Sequence, residues 1–297
     1  MSALLVTRVG PLATVQDLGR PGHARLGVTT SGAADRSALR LGNRILGNDP
    51  AAAGIEVLLG GLEVRSVGRT TVALTGAPAP LTVAGRPASP CVPLDLRDGE
   101  TLSLGMPPTG LRSYLAVRGR LEVARVFGSA STDPTSGVGP PLLEPGTLLS
   151  ISRVGSEQRC GVDDLAATDL AAPASPAVGD LVLRVVLGPR DDWFDPASVA
   201  RFTTSAWEVT ADLDRVGIRL AGPPLARSRM GELASEGVVR GSVQVPPSGQ
   251  PLVFLADHPT TGGYPVIGVL ADEDTDALAQ VRPGGRLRFR PTRPSWT

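Results

Sequence analysis

Short apolar runs, each closed by glycine or proline, recur along this chain from end to end. Leu4–Val9 stops at Gly10-Pro11, Ile55–Leu59 at Gly60-Gly61, and Leu181–Leu187 at Gly188-Pro189. A run of four to seven residues is one strand long, and Val, Leu and Thr dominate these runs. The 36 glycines and 28 prolines among 297 residues supply the turns between them. Such punctuation leaves little room for long helices. The chain is therefore predicted to be mainly β, with enough length for two domains.

Composition closes off several function classes. Basic and acidic residues balance at 29 each, with a pI near 6.8, and no basic stretch alternates with aromatics. Nucleic acid is therefore not expected as a partner. No apolar run approaches the ~20 residues that span a bilayer, and the first residues carry no basic, apolar signal pattern. A cytoplasmic location is the expectation. Cys91 and Cys160 are too few for a disulfide framework or zinc ribbon, and His23 and His258 are the only histidines, so no metal centre is expected. All 29 basic residues are arginine. Without lysine there is no P-loop, no Schiff base and no attachment point for biotin or lipoate.

Two polar stretches stand out against the apolar pattern. The first, Thr14–Gly22, sets Gln16, Asp17 and Arg20 among two glycines and a proline. Asp17 and Arg20 can pair across such a turn, or offer a carboxylate and a guanidinium to a ligand. The second, Ala256–Pro265, holds Asp257, His258, Thr260, Thr261, Gly262, Gly263 and Tyr264 between apolar runs at Pro251–Leu255 and Val266–Leu270. By itself this reads as a polar hairpin with a glycine turn, the glycines permitting positive φ or close approach of a ligand.

Between these stretches the chain is legible in order. Asp35 caps a predicted helix whose Ala38, Leu41 and Ile45 share a face, with Asn43 on its flank and Gly47-Asn48-Asp49-Pro50 as its stop. Glu56 sits in an apolar strand and needs a partner, for which Arg20 or Arg36 is available. Strands are predicted at Leu62–Ser66, Thr71–Thr75, Leu81–Val83, Val92–Leu96, Glu100–Leu104 and Arg112–Val117, a meander suited to a barrel or sandwich. A hydroxyl-rich loop follows at Phe127–Asp133. Residues 156–180 read as a linker between halves at 1–155 and 181–297. Further on, Asp195-Pro196 opens a short helix through Phe202, Trp207–Thr210 is a strand, and Ala271–Gln280 is a helix.

The ordered spellings T-V-Q-D-L-G-R-P-G, S-G-A-A-D, G-N-D-P, L-T-G-A and F-G-S-A-S-T-D occupy the first half. D-R-V-G-I-R-L, G-S-V-Q-V-P, A-D-H-P-T-T-G-G-Y-P and L-A-Q-V-R-P-G occupy the second. Together they resemble the family called allophanate hydrolase subunit 2, KipA or the 5-oxoprolinase C subunit, also found in the carboxyltransferase region of biotin-dependent urea carboxylases. The resemblance implies two cyclophilin-like β-barrel units in tandem, with a few short helices. It implies a heteromer with a subunit 1 or KipI-type protein and a lactam-utilisation third subunit, driving the opening of 5-oxoproline to glutamate with ATP. Alternatives are the acceptor half of a carboxyltransferase, with biotin carried by another protein, and a KipA-type regulator that sequesters a kinase inhibitor.

On this resemblance the substrate is a small amide or lactam. Thr260, Thr261 and Tyr264 are expected to stabilise an oxyanion, Asp257 or His258 to orient water or move a proton, and Arg20 or Arg215 to anchor a carboxylate. Gln16, Asp17 and Gln244 join the substrate-binding set, with Asp35, Asn43, Glu56, Asp214 and Gln280 in support. The loop Val138–Thr147 departs from the family's G-R-x-L-x-x-G-D segment: Pro140 or Pro141 replaces the arginine and Thr147 the aspartate. That change points to an altered substrate or a lost activity.

Overall fold

The computed structural model describes residues 2–152, 180–229, 231 and 233–293. The chain divides into two compact units, unit 1 from Met1–Arg20 and Ser31–Ala174, unit 2 from Pro21–Thr30 and Ser175–Thr297. The expected linker at 156–180 lies outside the described residues except for Asp180, whose carboxylate meets Arg286 at 3.3 Å and Arg288 at 2.7 Å.

Unit 1 contains β1 (Ser2–Arg8), β2 (Leu12–Gln16), α1 (Arg36–Ile45), β3 (Gly54–Leu58), β4 (Glu63–Val67), β5 (Thr70–Gly76) and β6 (Leu81–Val83). It continues with β7 (Arg86–Ala88), β8 (Leu94–Leu96), β9 (Thr101–Leu104), β10 (Arg112–Val117), β11 (Arg120–Leu121) and β12 (Leu148–Ser152). Seven strands run β11-β12-β1-β4-β9-β6-β7 and five run β2-β3-β10-β5-β8. One face of each sheet lines a common core that includes Leu4, Val6, Val15, Ile55, Leu74 and Leu115. Helix α1 covers the other face of the five-stranded sheet through Leu41 and Ile45 against Ala73 and Ala116. Close approach of helix to sheet depends on Gly42, where a Cβ would press on Thr75 Oγ1 at 3.1 Å. Strand β10, covered on both faces, is buried at all six positions. Strand β7 was not anticipated: Arg86-Pro87-Ala88 lacks alternation, and its proline is tolerated because β7 is an edge strand.

Unit 2 contains β13 (Leu181–Leu187), α2 (Pro196–Thr204), β14 (Trp207–Leu213), β15 (Gly217–Ala221), β16 (Glu236–Gly237) and β17 (Ser242–Gln244). It ends with β18 (Leu252–Phe254), β19 (Thr261–Gly262), β20 (Val266–Leu270), α3 (Asp272–Leu278) and β21 (Arg286–Pro291). Seven of these strands close a barrel in the order β13-β20-β17-β18-β15-β14-β21. Phe202 from α2 packs on Phe289, ring centroids 4.4 Å apart, and Trp207 Nε1 donates to the Phe202 carbonyl at 3.1 Å.

The barrel order corrects one expectation. The stretch Ala256–Pro265 is not a hairpin, because β17 lies between β18 and β20. It is a crossover connection, and its own short strand β19 pairs antiparallel with β16. Among the described residues no helix is long and apolar enough to cross a membrane.

Candidate functional site

In unit 1 the register of the five-stranded sheet builds a polar row. Thr14 lies opposite Glu56, Glu56 opposite Tyr114, and Tyr114 opposite Thr75. Their strand neighbours Val15, Ile55 and Leu115 face the apolar core, so the row faces the opposite side. Tyr114 donates its hydroxyl to Glu56 Oε2 at 2.8 Å and accepts from the Asp35 N–H at 2.8 Å. The Ala34 N–H also reaches Glu56 Oε2, at 3.0 Å. Burial pushes the Tyr114 phenol well above its ordinary pKa, and the negative charges of Glu56 and Asp35 push it further. Arg112 Nε also lies 3.7 Å from Glu56 Oε1, both side chains buried. That cation lies opposite Leu58, two residues along from Glu56, on the neighbouring strand β10.

Asp35 is the N-cap of α1 and accepts from the Ala38 N–H at 2.9 Å. Asn43 closes the other end: its amide donates to the Ala52 carbonyl at 2.7 Å and accepts from Asn48, which bonds the Val117 carbonyl and the Gly119 N–H. Both residues hold backbone in place.

Asp17 knots two loops together. Its Oδ1 accepts from the Gly19 N–H at 2.8 Å, Ser129 Oγ at 2.6 Å and Ser131 Oγ at 2.7 Å. Its Oδ2 accepts from the Ala130 N–H at 2.7 Å, with Arg125 Nη1 at 3.6 Å. A carboxylate so surrounded positions the loop. Arg20 is fully buried and donates through Nη2 to the Ser131 carbonyl, and Gly139 packs over both, where a Cβ would overlap that carbonyl. Gln16 is the last residue of β2; its Nε2 donates to the Thr132 carbonyl at 2.7 Å and to Thr14 Oγ1 at 3.0 Å. The alternation of Ser129 and Ser131, both turned to Asp17, was available in the hydroxyl-rich spelling. The place of Thr132 was not.

In unit 2 the ladder between β15 and β18 continues past the strand ends, with the Leu255 N–H on the Val216 carbonyl and the Asp257 N–H on the Arg215 carbonyl. This sets Arg215 against Asp257 in a two-point ion pair, Nε to Oδ2 at 2.7 Å and Nη2 to Oδ1 at 3.1 Å, both residues buried. Asp257, expected to handle water or a proton, and Arg215, expected to anchor a substrate, thus engage each other. His258 Nδ1 lies 2.7 Å from the Pro259 carbonyl, which assigns that nitrogen the proton, and its ring lies 6.1 Å from that of Phe254. Thr260 gives its carbonyl to the Val238 N–H at 3.1 Å, while Thr261 and Tyr264 are exposed. Arg227 stands over the Tyr264 ring at 5.8 Å. Asp214 closes a turn on the Val216 and Gly217 N–H groups, and Gln280 is buried after α3.

Gln244 Nε2 donates to the Tyr264 carbonyl at 3.0 Å. Gly262, read as a site for positive φ or a ligand, is not in the left-handed region; its missing Cβ leaves room for the Gln244 amide. Arg190 clamps Glu236 of the β16–β19 ribbon through two Nε contacts at 3.0 Å, which lowers the Glu236 carboxyl and raises Arg190. Sequence reasoning also missed a buried pair, Arg240 with Asp276 at 2.6 Å. Among the described residues no group of three or more His, Cys, Asp or Glu side chains could hold a metal ion.

Residues 26–291 match the family model described as carboxyltransferase domain, subdomain A and B. The chain belongs to the carboxyltransferase domain family. It is 37% identical to the 5-oxoprolinase C subunit of Escherichia coli over 96% of this chain and 90% of that protein. It is 33% identical to the 5-oxoprolinase C subunit of Haemophilus influenzae over 93% of this chain and 87% of that one. The crystal structure of the K. lactis urea amidolyase superposes with a TM-score of 0.86 at 27% identity, covering 97% of this chain and 18% of the amidolyase. The barrel of unit 2 and the helix-covered sheet of unit 1 are the frames on which the two polar clusters stand.

Proposed function

We propose that this chain is one component of a heteromeric hydrolase that opens a small cyclic amide at the expense of ATP, in the place of the 5-oxoprolinase C subunit. The observation that carries the reading is the 37% identity to that protein of Escherichia coli, which extends over 90% of its length. The residues are compatible with such a division of labour. With no lysine the chain supplies neither a P-loop nor a carrier amine, so phosphate chemistry falls to companions of the subunit 1 and lactam-utilisation types. What this chain offers is pre-set hydrogen bonding: loops held by Asp17 and by the Arg215–Asp257 pair, whose geometry does not have to be organised when a substrate arrives.

Likeness to the urea amidolyase supports a second reading, an acceptor half for carboxyl transfer from a biotinylated partner. The purified chain, combined with its companion proteins and ATP, should release glutamate from 5-oxoproline, with turnover lost on omission of the chain. Turnover of urea that depends on a biotinylated carrier, with none of 5-oxoproline, would replace the first reading by the second.

A further inference from the structure

Gln16 extends the polar row of unit 1, two residues beyond Thr14 on the same face of β2. Its amide orientation is set by its neighbours. Nε2 donates to the Thr132 carbonyl at 2.7 Å, and turning the amide over would press two carbonyl oxygens together. Oε1 therefore faces away from that carbonyl, where it meets no donor among the described residues although Gln16 is 0% exposed. The Thr132 hydroxyl, in a residue 3% exposed, also meets no partner among them. A buried polar group left unmet is costly to the fold. Here two such groups occur on residues joined by one hydrogen bond, beside the polar knot around Asp17.

We propose that Gln16 Oε1 and Thr132 Oγ1 form a subsite that reads the edge of a cis-amide. The carbonyl oxygen of Gln16 can only accept, so it takes the ligand N–H; the Thr132 hydroxyl donates to the adjoining ligand oxygen. A lactam or a urea presents a donor and an acceptor side by side on one edge, whereas an N-alkylated amide or a carboxylate lacks the donor. The backbone of Thr132 is fixed for this task by its N–H on the Val15 carbonyl at 2.9 Å and by the Gln16 amide. The exposed segment 134–137 follows close after Thr132, and Gly139 beyond it packs on the Ser131 carbonyl. The proposal rests on the amide-hydrolase reading for the substrate class alone.

The test is Thr132→Val, which keeps the shape of the side chain and removes its hydroxyl. Binding of 2-pyrrolidone, urea and N-methyl-2-pyrrolidone to the assembled complex is measured by calorimetry, alongside the melting temperature and the KM for 5-oxoproline. The wild-type complex should bind the first two probes and not the third. Thr132→Val should weaken that binding tenfold or more and raise KM in step, with an unchanged or higher melting temperature. Unchanged affinity in the variant, no probe binding to the wild type, or a crystal structure with both atoms on a fixed water and the probe elsewhere would each overturn the proposal. Probe binding that needs Thr132, without ATP-driven turnover of 5-oxoproline, leaves the subsite standing and removes the hydrolase reading. Turnover with an unaltered KM in Thr132→Val does the reverse.

Discussion

Replacing Asp257 by asparagine separates a scaffold role from a chemical one. Side-chain exposure is 0% for Asp257 and 6% for Arg215, and the contacts are 2.7 and 3.1 Å, so Asp257→Asn leaves a guanidinium buried opposite a neutral amide. At about 4 Å and an effective dielectric near 20, the lost attraction is about 4 kcal/mol. Removing one partner of a buried pair measures about 3–5 kcal/mol. A domain's whole stability is about 5–15 kcal/mol, so unit 2 should lose about a fifth or more of it. With a urea slope near 2 kcal/mol per molar, the midpoint should fall by roughly 1.5–2.5 M.

The assay can be confined to the right unit in a Trp296→Phe background, because Trp193 and Trp207, the remaining tryptophans, both fall in unit 2. Tryptophan fluorescence in urea therefore follows that barrel. The paired change Arg215→Met with Asp257→Leu removes both charges and should restore most of the loss, since apolar replacements of buried pairs are often neutral or better. A midpoint within about 0.3 M of wild type for Asp257→Asn, a shift worth under 1 kcal/mol on that slope, would refute the scaffold reasoning. Combined with lost turnover, it would return the carboxylate to the chemistry.

Two further outcomes follow from the same geometry. Tyr114 and Tyr264 are the only tyrosines, so Tyr264→Phe isolates Tyr114 for spectrophotometric titration. Its folded pKa is raised, by burial first and then by Glu56 and Asp35, so its contribution to stability is complete below the unfolded value of about 10 and is lost as pH rises beyond it; tyrosinate should appear only together with loss of circular dichroism. Ionisation at about pH 10 in a folded protein would contradict the Glu56–Tyr114–Asp35 chain. Gly262→Ala places a methyl on the Gln244 amide and should cost about 1–3 kcal/mol, with faster amide exchange in the β16–β19 ribbon; a neutral result would show that Gln244 can step aside.

Local signals in the sequence carried the elements but not their partnerships. Asp35 and the spacing of Ala38, Leu41 and Ile45 were enough to place α1, since a cap and an apolar stripe act within one helix. Val266–Leu270 stood out as an apolar run and is β20. The hairpin reading of Ala256–Pro265 failed because adjacency in sequence suggests pairing, whereas β17 inserts itself between the flanking strands through contacts that no local pattern encodes. Asp257 and Arg215 lie 42 positions apart, and Ser131 and Asp17 lie 114 apart. Asp257 read as a chemical group and Asp17 as a ligand-binding one because residue type was visible and their partners were not. Asp17, Asp35, Asn43 and Asp257, all singled out from the sequence, are each engaged by partners inside the chain.

A polar residue buried in either unit is needed by the fold when its valence is met inside the chain, as with Asp17, Asn43, Asp35 and Asp257. Such residues make the loops stiff, and stiffness is what lets a neighbouring atom be held toward a ligand without further ordering. The informative atoms are then those a fixed network leaves unmet. In unit 1 the same hydrogen bond that locks Gln16 to Thr132 also prevents Gln16 Oε1 from turning to satisfy itself, and Thr132 Oγ1 has no partner among the described residues. An unmet pair maintained by an otherwise satisfied network is costly to a fold and useful to a ligand, and this distinguishes Gln16 and Thr132 from the carboxylates that first drew attention.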